Sequence, residues 1–171
     1  MFTLTSQQSR IAHINVREEK HGEESVPAVD LTIVCDVPNA FLSHLHPTLK
    51  ASLYGPQHTQ SNLIDDAGHL PCLLYHALPE LKWVGVMVKA TVVLHGAKPK
   101  DNIELEAGID KLVLMPKDGG TVEIKFRVSS RPEAATIGRL VALLGLDMKV
   151  SVTANPDDQG GGDLTDGGDG A

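Results

Sequence analysis

The stretch from Thr121 to Thr153 constrains this chain more than any other, because it spells strand, helix, strand without interruption. Val122, Ile124, Phe126 and Val128 alternate with Glu123, Lys125, Arg127 and Ser129, the period of a strand with one dry and one wet face. Ser130-Arg131-Pro132-Glu133 then offers a hydroxyl to cap a helix, a carboxylate three residues on, and an early proline whose missing N–H costs nothing there. Ile137, Leu140, Val141 and Leu144 fall at helical spacing and predict one apolar stripe, which Gly145 ends in a left-handed conformation. Leu146, Met148, Val150 and Val152 resume the alternation. Burial of side chains like these stabilises by about 1.5–3 kcal/mol each, so the unit has to pack against earlier strands.

Those earlier strands are legible. Ala12, Ile14 and Val16 alternate within Arg10–Arg17, and Val29, Leu31, Ile33, Cys35 and Val37 alternate after them, which predicts a hairpin joined by a charged loop over residues 18–25. Asn39 is placed to cap a short helix through Phe41, Leu42, Leu45 and Leu49, broken near Pro47. Residues 54–69 read as an exposed polar loop, and Leu70–Tyr75 as a short strand. Val84, Val86, Val88, Ala90, Val92 and Leu94 predict the longest strand, beginning at Trp83. Ile103, Leu105 and Ala107 continue the meander, a phase slip between Gly108 and Lys111 marks a bulge, and Lys117-Asp118-Gly119-Gly120 turns the chain into the Thr121 strand. The class is α+β, mainly antiparallel sheet of about seven strands, with a C-terminal strand-helix-strand unit. Alternation does not separate a sandwich from a small barrel.

Residues 1–154 form one expected globular domain. Residues 155–171 hold six Gly and five Asp with one Leu, too little apolar surface to offset ordering, and predict a disordered acidic tail. The formal charge is −7, but the tail supplies five of those negative charges. Up to residue 78 there are four bases and eight acids, whereas residues 79–151 carry eleven bases and nine acids, so positive charge gathers in the second half. No secretory signal or apolar run of about 18 residues appears, and Cys35 and Cys72 sit in apolar runs, which predicts two free thiols in a cytosolic protein without a membrane partner.

No GxSxG, GxxxxGK[ST], strand-borne GxGxxG or HExxH is present, so a non-enzymatic protein without cofactor is expected. His44 and His46 stand two apart, which on a helix points them to nearly opposite sides, and no metal site is assigned. Glu18, Glu19, Glu23 and Glu24, and Asp65 with Asp66, lack the spaced oxygen ligands of a calcium loop. The candidate binding surface is the wet face of two strands. Lys89, Lys125 and Arg127 would contact phosphate and Trp83 would stack on a base, the combination that holds single-stranded nucleic acid. The competing reading of the same residues is ordinary cross-strand pairing with Glu104, Glu106 and Glu123.

The tail resembles those of bacterial single-stranded-DNA-binding proteins in being rich in Gly and Asp. It differs at its end, Asp169-Gly170-Ala171, where those tails carry an apolar tip. Asp163, Leu164, Asp166 and Asp169 are its candidate partner-binding residues. Two further blocks carry a family resemblance: His21-Gly22-Glu23-Glu24-Ser25-Val26-Pro27-Ala28 followed by Asp30-Leu31, and Asp118-Gly119-Gly120-Thr121-Val122 leading to Ile137-Gly138-Arg139-Leu140. They resemble uncharacterised tailed-bacteriophage proteins of similar length from early regions near recombination and replication functions. The resemblance covers most of residues 1–153 and implies a phage context, a host cytoplasmic compartment and a link to DNA metabolism. The expected partner is single-stranded DNA or a DNA-processing protein, with homo-oligomerisation open. The alternatives are an acidic inhibitor of a host nuclease or defence complex, and a structural virion component.

Overall fold

The computed structural model describes residues 2–22, 24–56, 70–85 and 87–155. The acidic tail, including Asp163, Leu164, Asp166 and Asp169, lies outside the described residues, as do His58, Asp65, Asp66 and His69. Two long strands come first, β1 (Leu4–His21) and β2 (Glu24–Pro38), followed by two short helices, α1 (Leu42–Leu45) and α2 (Leu49–Leu53). Three short strands, β3 (Tyr54–Gly55), β4 (Cys72–Leu73) and β5 (Leu81–Trp83), lead to β6 (Met87–His95), β7 (Ile103–Lys117) and β8 (Thr121–Ser130). Helix α3 (Ala134–Ala142) and β9 (Asp147–Ala154) complete the chain.

All strand pairings are antiparallel, and the main sheet runs β5-β7-β6-β9-β1-β2-β8. β8 returns to pair with β7 from Lys117↔Thr121 to Ala107↔Ser130, so six strands close into a barrel and β5 is an extra strand on its flank. Closure decides between barrel and sandwich. It is possible because β7 is long enough to serve three neighbours. β6 takes residues 103–109 on one edge, β5 takes Leu112–Leu114 farther along, and β8 lies along the other edge. The bulge between Asp110 and Val113, with Lys111 at φ +53°, is the phase slip seen in the sequence. Gly119 and Gly120, at φ +86° and +79°, turn β7 into β8 where a side chain would be strained.

Inside, the alternating residues of β2, β6, β8 and β9 converge. Leu31, Ile33, Val92, Ile124, Phe126 and Val150 are fully buried, and Phe126 meets Phe2 edge-to-face at 5.6 Å. Phe2 also meets Phe41, which seats the α1 region over one barrel end. Tyr54 fixes that cover to the β7–β8 turn: its hydroxyl lies 2.7 Å from the Thr121 carbonyl and accepts from the Lys117 N–H at 3.1 Å. At the other end Leu140 of α3 is fully buried. Cys35 is buried and desolvation pushes its thiol up to about 11, so it stays protonated, while Cys72 is half-buried and also free.

Several local expectations give way to tertiary demands. The Trp83–Leu94 run is not one strand; β5 ends at Trp83, β6 begins at Met87, and Val84 stands 97% exposed between them. The longest strand is instead β1, at 18 residues. The charged loop shrinks to a tight turn, because β1 and β2 stay paired out to His21↔Glu24. Ser130 does not cap α3. It is a sheet residue paired with both Ala107 and Val29, and its buried hydroxyl donates to the Glu106 carbonyl at 2.7 Å. Asn39 likewise makes no cap; its amide donates to the Leu70 carbonyl at 2.7 Å. The α3 stripe is only partly buried, since the barrel end admits Leu140 while Val141 and Leu144 remain about half exposed. Gly145, at φ +77°, does end the helix region, and its N–H donates to the Ile11 carbonyl.

Phe126 is the centre of this core. Phe126→Ala is expected to destabilise the protein by about 3–5 kcal/mol, read from the denaturant midpoint in urea unfolding followed by circular dichroism.

Candidate nucleic-acid interface

The closed barrel has an outside, and its outward side chains follow from register. On β8 the residues between the buried ones, Glu123, Lys125, Arg127 and Ser129, face out. Thr32 of β2 lies opposite Arg127 on one side and Asp110 of β7 on the other, while Lys125 is flanked by Val34 and Val113, and Val113 by Lys82 of β5. The β7 bulge lifts Lys111 outward beside Leu112, whose partner on β5 is Trp83.

These residues border a groove of about 550 Å³, within the range of ligand-binding clefts. Trp83, Lys82, Lys111, Lys125 and Arg127 line it, together with His13, Asn15, Thr32 and Asp30. Trp83 is half-buried, one part packed on the core. Lys111 and Lys125 have no ion-pair partner among the described residues, and Lys82 reaches Glu80 only at 4.0 Å. Arg127 differs. Its guanidinium makes a two-pronged pair with Asp110, Nε donating to Oδ1 at 2.7 Å and Nη2 to Oδ2, which raises its already high pKa. Arg127 therefore arrives at the groove neutralised, while Lys111 and Lys125 arrive without an ion pair among the described residues and Lys82 with only the long contact to Glu80.

Asp30 is the groove's one lining carboxylate, and it is also held. Arg17 Nε donates to it at 3.1 Å and Ser129 Oγ at 2.7 Å. The hydrogen bond from Arg17 keeps its carboxyl below the ordinary range, against an opposing effect of desolvation and with help from Ser129. Arg17 in turn pairs with Glu19, which also accepts from Arg131. The hairpin tip is thus tied to the end of β8 by a chain of charges.

Of the four residues expected from the sequence, Trp83, Lys125 and Arg127 meet in this groove. Lys89 does not line it. Lys89 lines a neighbouring groove of about 570 Å³ with Arg17, Glu106, Ser129 and Arg131, and is exposed without an acidic partner among the described residues. One strand, β7, separates β6 from β8, so the two basic strands flank a common neighbour rather than each other. Lys82 and Lys111 were missed. The phase slip at residues 108–111 was a signal for Lys111, because a bulge re-aims a side chain; Lys82 depended on β5 joining β7, which no periodicity over three residues announces. Among the described residues no group of three His, Cys, Asp or Glu is placed to hold a metal ion, and no helix is long and apolar enough to cross a membrane.

No family model, no curated protein and no solved structure matches this chain. The site therefore rests on its own chemistry.

The Asp30 network has a pH signature. A carboxyl whose folded pKa lies below its unfolded value of about 3.9 stabilises the fold above that pH and loses the contribution as pH falls through the folded value. The thermal midpoint should drop steeply below about pH 4, and Asp30→Asn should lower the midpoint at pH 6 while making the acid limb shallower, both read by calorimetry.

Proposed function

We propose that this protein is a non-enzymatic accessory factor of phage DNA metabolism that holds single-stranded DNA in the Trp83 groove, in the host cytoplasm. The observation that supports the reading is the convergence of Lys82, Lys111 and Lys125, from three strands, around one half-buried indole. Phosphates are attracted by the lysines, of which Lys111 and Lys125 have no ion pair among the described residues and Lys82 only a long one to Glu80, and one base stacks on Trp83. Stacking of this kind contributes about 1–3 kcal/mol per base and is tolerant of sequence. Arg127, locked to Asp110, supplies a fixed wall and a donor rather than net charge.

Charge segregation makes this compatible with an acidic chain. Five of the negative charges belong to the tail, and the groove itself presents four cations to one carboxylate. A second reading, a module that binds a host nuclease or defence protein, draws on a different place: Val141, Leu144 and Leu146 are each about half exposed around the end of α3.

Trp83 is the sole tryptophan, so its fluorescence reports on the groove directly. An oligothymidylate of about four nucleotides should quench it, and three phosphate contacts on a single strand imply a log–log salt slope near −2, or roughly 20-fold weaker binding at 200 than at 50 mM salt. Lys111→Ala and Lys125→Ala should each remove about 0.7 of that slope. Absence of quenching, or quenching indifferent to salt, contradicts the reading.

A further inference from the structure

We infer that the two grooves are one track, and that a longer single strand continues from Trp83 across β2 and β8 to Lys89 and Arg131. The inference rests on the single-strand reading above and extends it to a second set of contacts. Its basis is adjacency. Along β8, Lys125 and Arg127 line the first groove and Ser129 the second, with Arg131 just past the strand's end; along β2, Asp30 lines the first and Ala28 the second. The boundary is thus a single step of two residues on each strand.

The direction of the track follows β8. From Lys125 to Ser129 the outward positions succeed one another every second residue, a spacing of about 6.8 Å and a total of about 14 Å at a strand's rise per residue, and Arg131 follows past the strand's end. That step is close to the separation of successive phosphates in an extended single strand, so the row presents side chains at the ligand's own repeat. On the far side of β7, Ala90 of β6 pairs with Ala107, which pairs with Ser130. This places Lys89 next to Gly108 and one strand away from Ser129.

The second groove exists because its floor is small. Ala28, Ala90, Ala107 and Gly108 leave room where larger side chains would fill the surface. Its rim is cationic: Arg17, Lys89 and Arg131 against Glu19 and Glu106. Taken together, the two grooves gather seven of the chain's fifteen basic residues on one face of a protein whose formal charge is −7. Two of the three lining carboxylates are engaged, and among the described residues Glu106 is not. Asp30 is held by Arg17 and Ser129, and Glu19 by Arg17 and Arg131, so the ridge repels a phosphate less than its formal charge suggests. Lys89 is free to bind a phosphate outright, while Arg131, 55% exposed, exchanges Glu19 for one.

The test compares oligothymidylates of about four and about twelve nucleotides by Trp83 quenching over 50–200 mM salt. The full chain should show a salt slope steeper by about 0.7–1.4 with the longer strand. A Lys89→Ala/Arg131→Ala double variant should erase that difference and leave the short-strand titration unchanged. Both side chains are exposed, and an unaltered thermal midpoint confirms that the variant folds. Equal slopes for the two lengths, or a silent double variant, overturn the continuous track while leaving the Trp83 groove in place. Loss of quenching with both lengths removes the groove and the track together.

Discussion

The ladder between β7 and β8 holds the rest of this structure in place. An open antiparallel sheet of this size would end in two long strand edges, each a row of unpaired donors and acceptors. By pairing β7 with β8 as well as with β6, the chain buries both edges in one seam. It also encloses the aliphatic faces of six strands around a core with Phe126 at its centre. Aromatics are only 4% of the chain, so tight closure rather than large side chains supplies the burial. The seam needs a tight two-glycine turn at one end and a bulge partway along.

The same seam creates the face that carries the candidate groove. A bulge that adjusts β7 to its neighbours also turns Lys111 outward, and the far part of β7, free of β6, accepts β5 and with it Lys82 and Trp83. Cations distant in sequence thereby come to share a surface. Not all of them act as charge: Arg127 is matched by Asp110 and Lys117 by Asp36 and Glu123, the cross-strand pairing ordinary to a wet sheet face. What distinguishes the groove is the set left over. Lys82, Lys111 and Lys125 line one groove with an aromatic, and among the described residues the one carboxylate within ion-pair reach of any of the three is Glu80, 4.0 Å from Lys82.

Much of the fold was legible because period-two alternation reports directly on which residues face inward, and every one of the inward residues read on β2, β8 and the later part of β6 is buried. The bulge and the glycine turn were legible for the same reason, as interruptions of phase. Where the sequence misled, a nonlocal partner won. Ser130 and Asn39 have the chemistry of helix caps, yet each hydroxyl or amide is claimed by a carbonyl far along the chain. Val84 continues an apolar pattern but stands in solvent, because pattern does not say where one strand leaves a ladder and another joins. Half of the site was visible as wet-face cations; the lysine on β5 depended on that three-residue strand joining β7, which alternation does not encode. The acidic tail lies beyond the described residues and enters only through its charge.

The central claim is that nucleic acid and groove meet at named residues, and amide chemical-shift mapping of the full chain with oligothymidylate reads this residue by residue. The account predicts that the perturbed amides cluster at Lys82, Trp83, Lys111 and Lys125, on strands that only the barrel brings together. Perturbations confined to α3 and its exposed Val141 and Leu144, or an unchanged spectrum at saturating ligand, would contradict it.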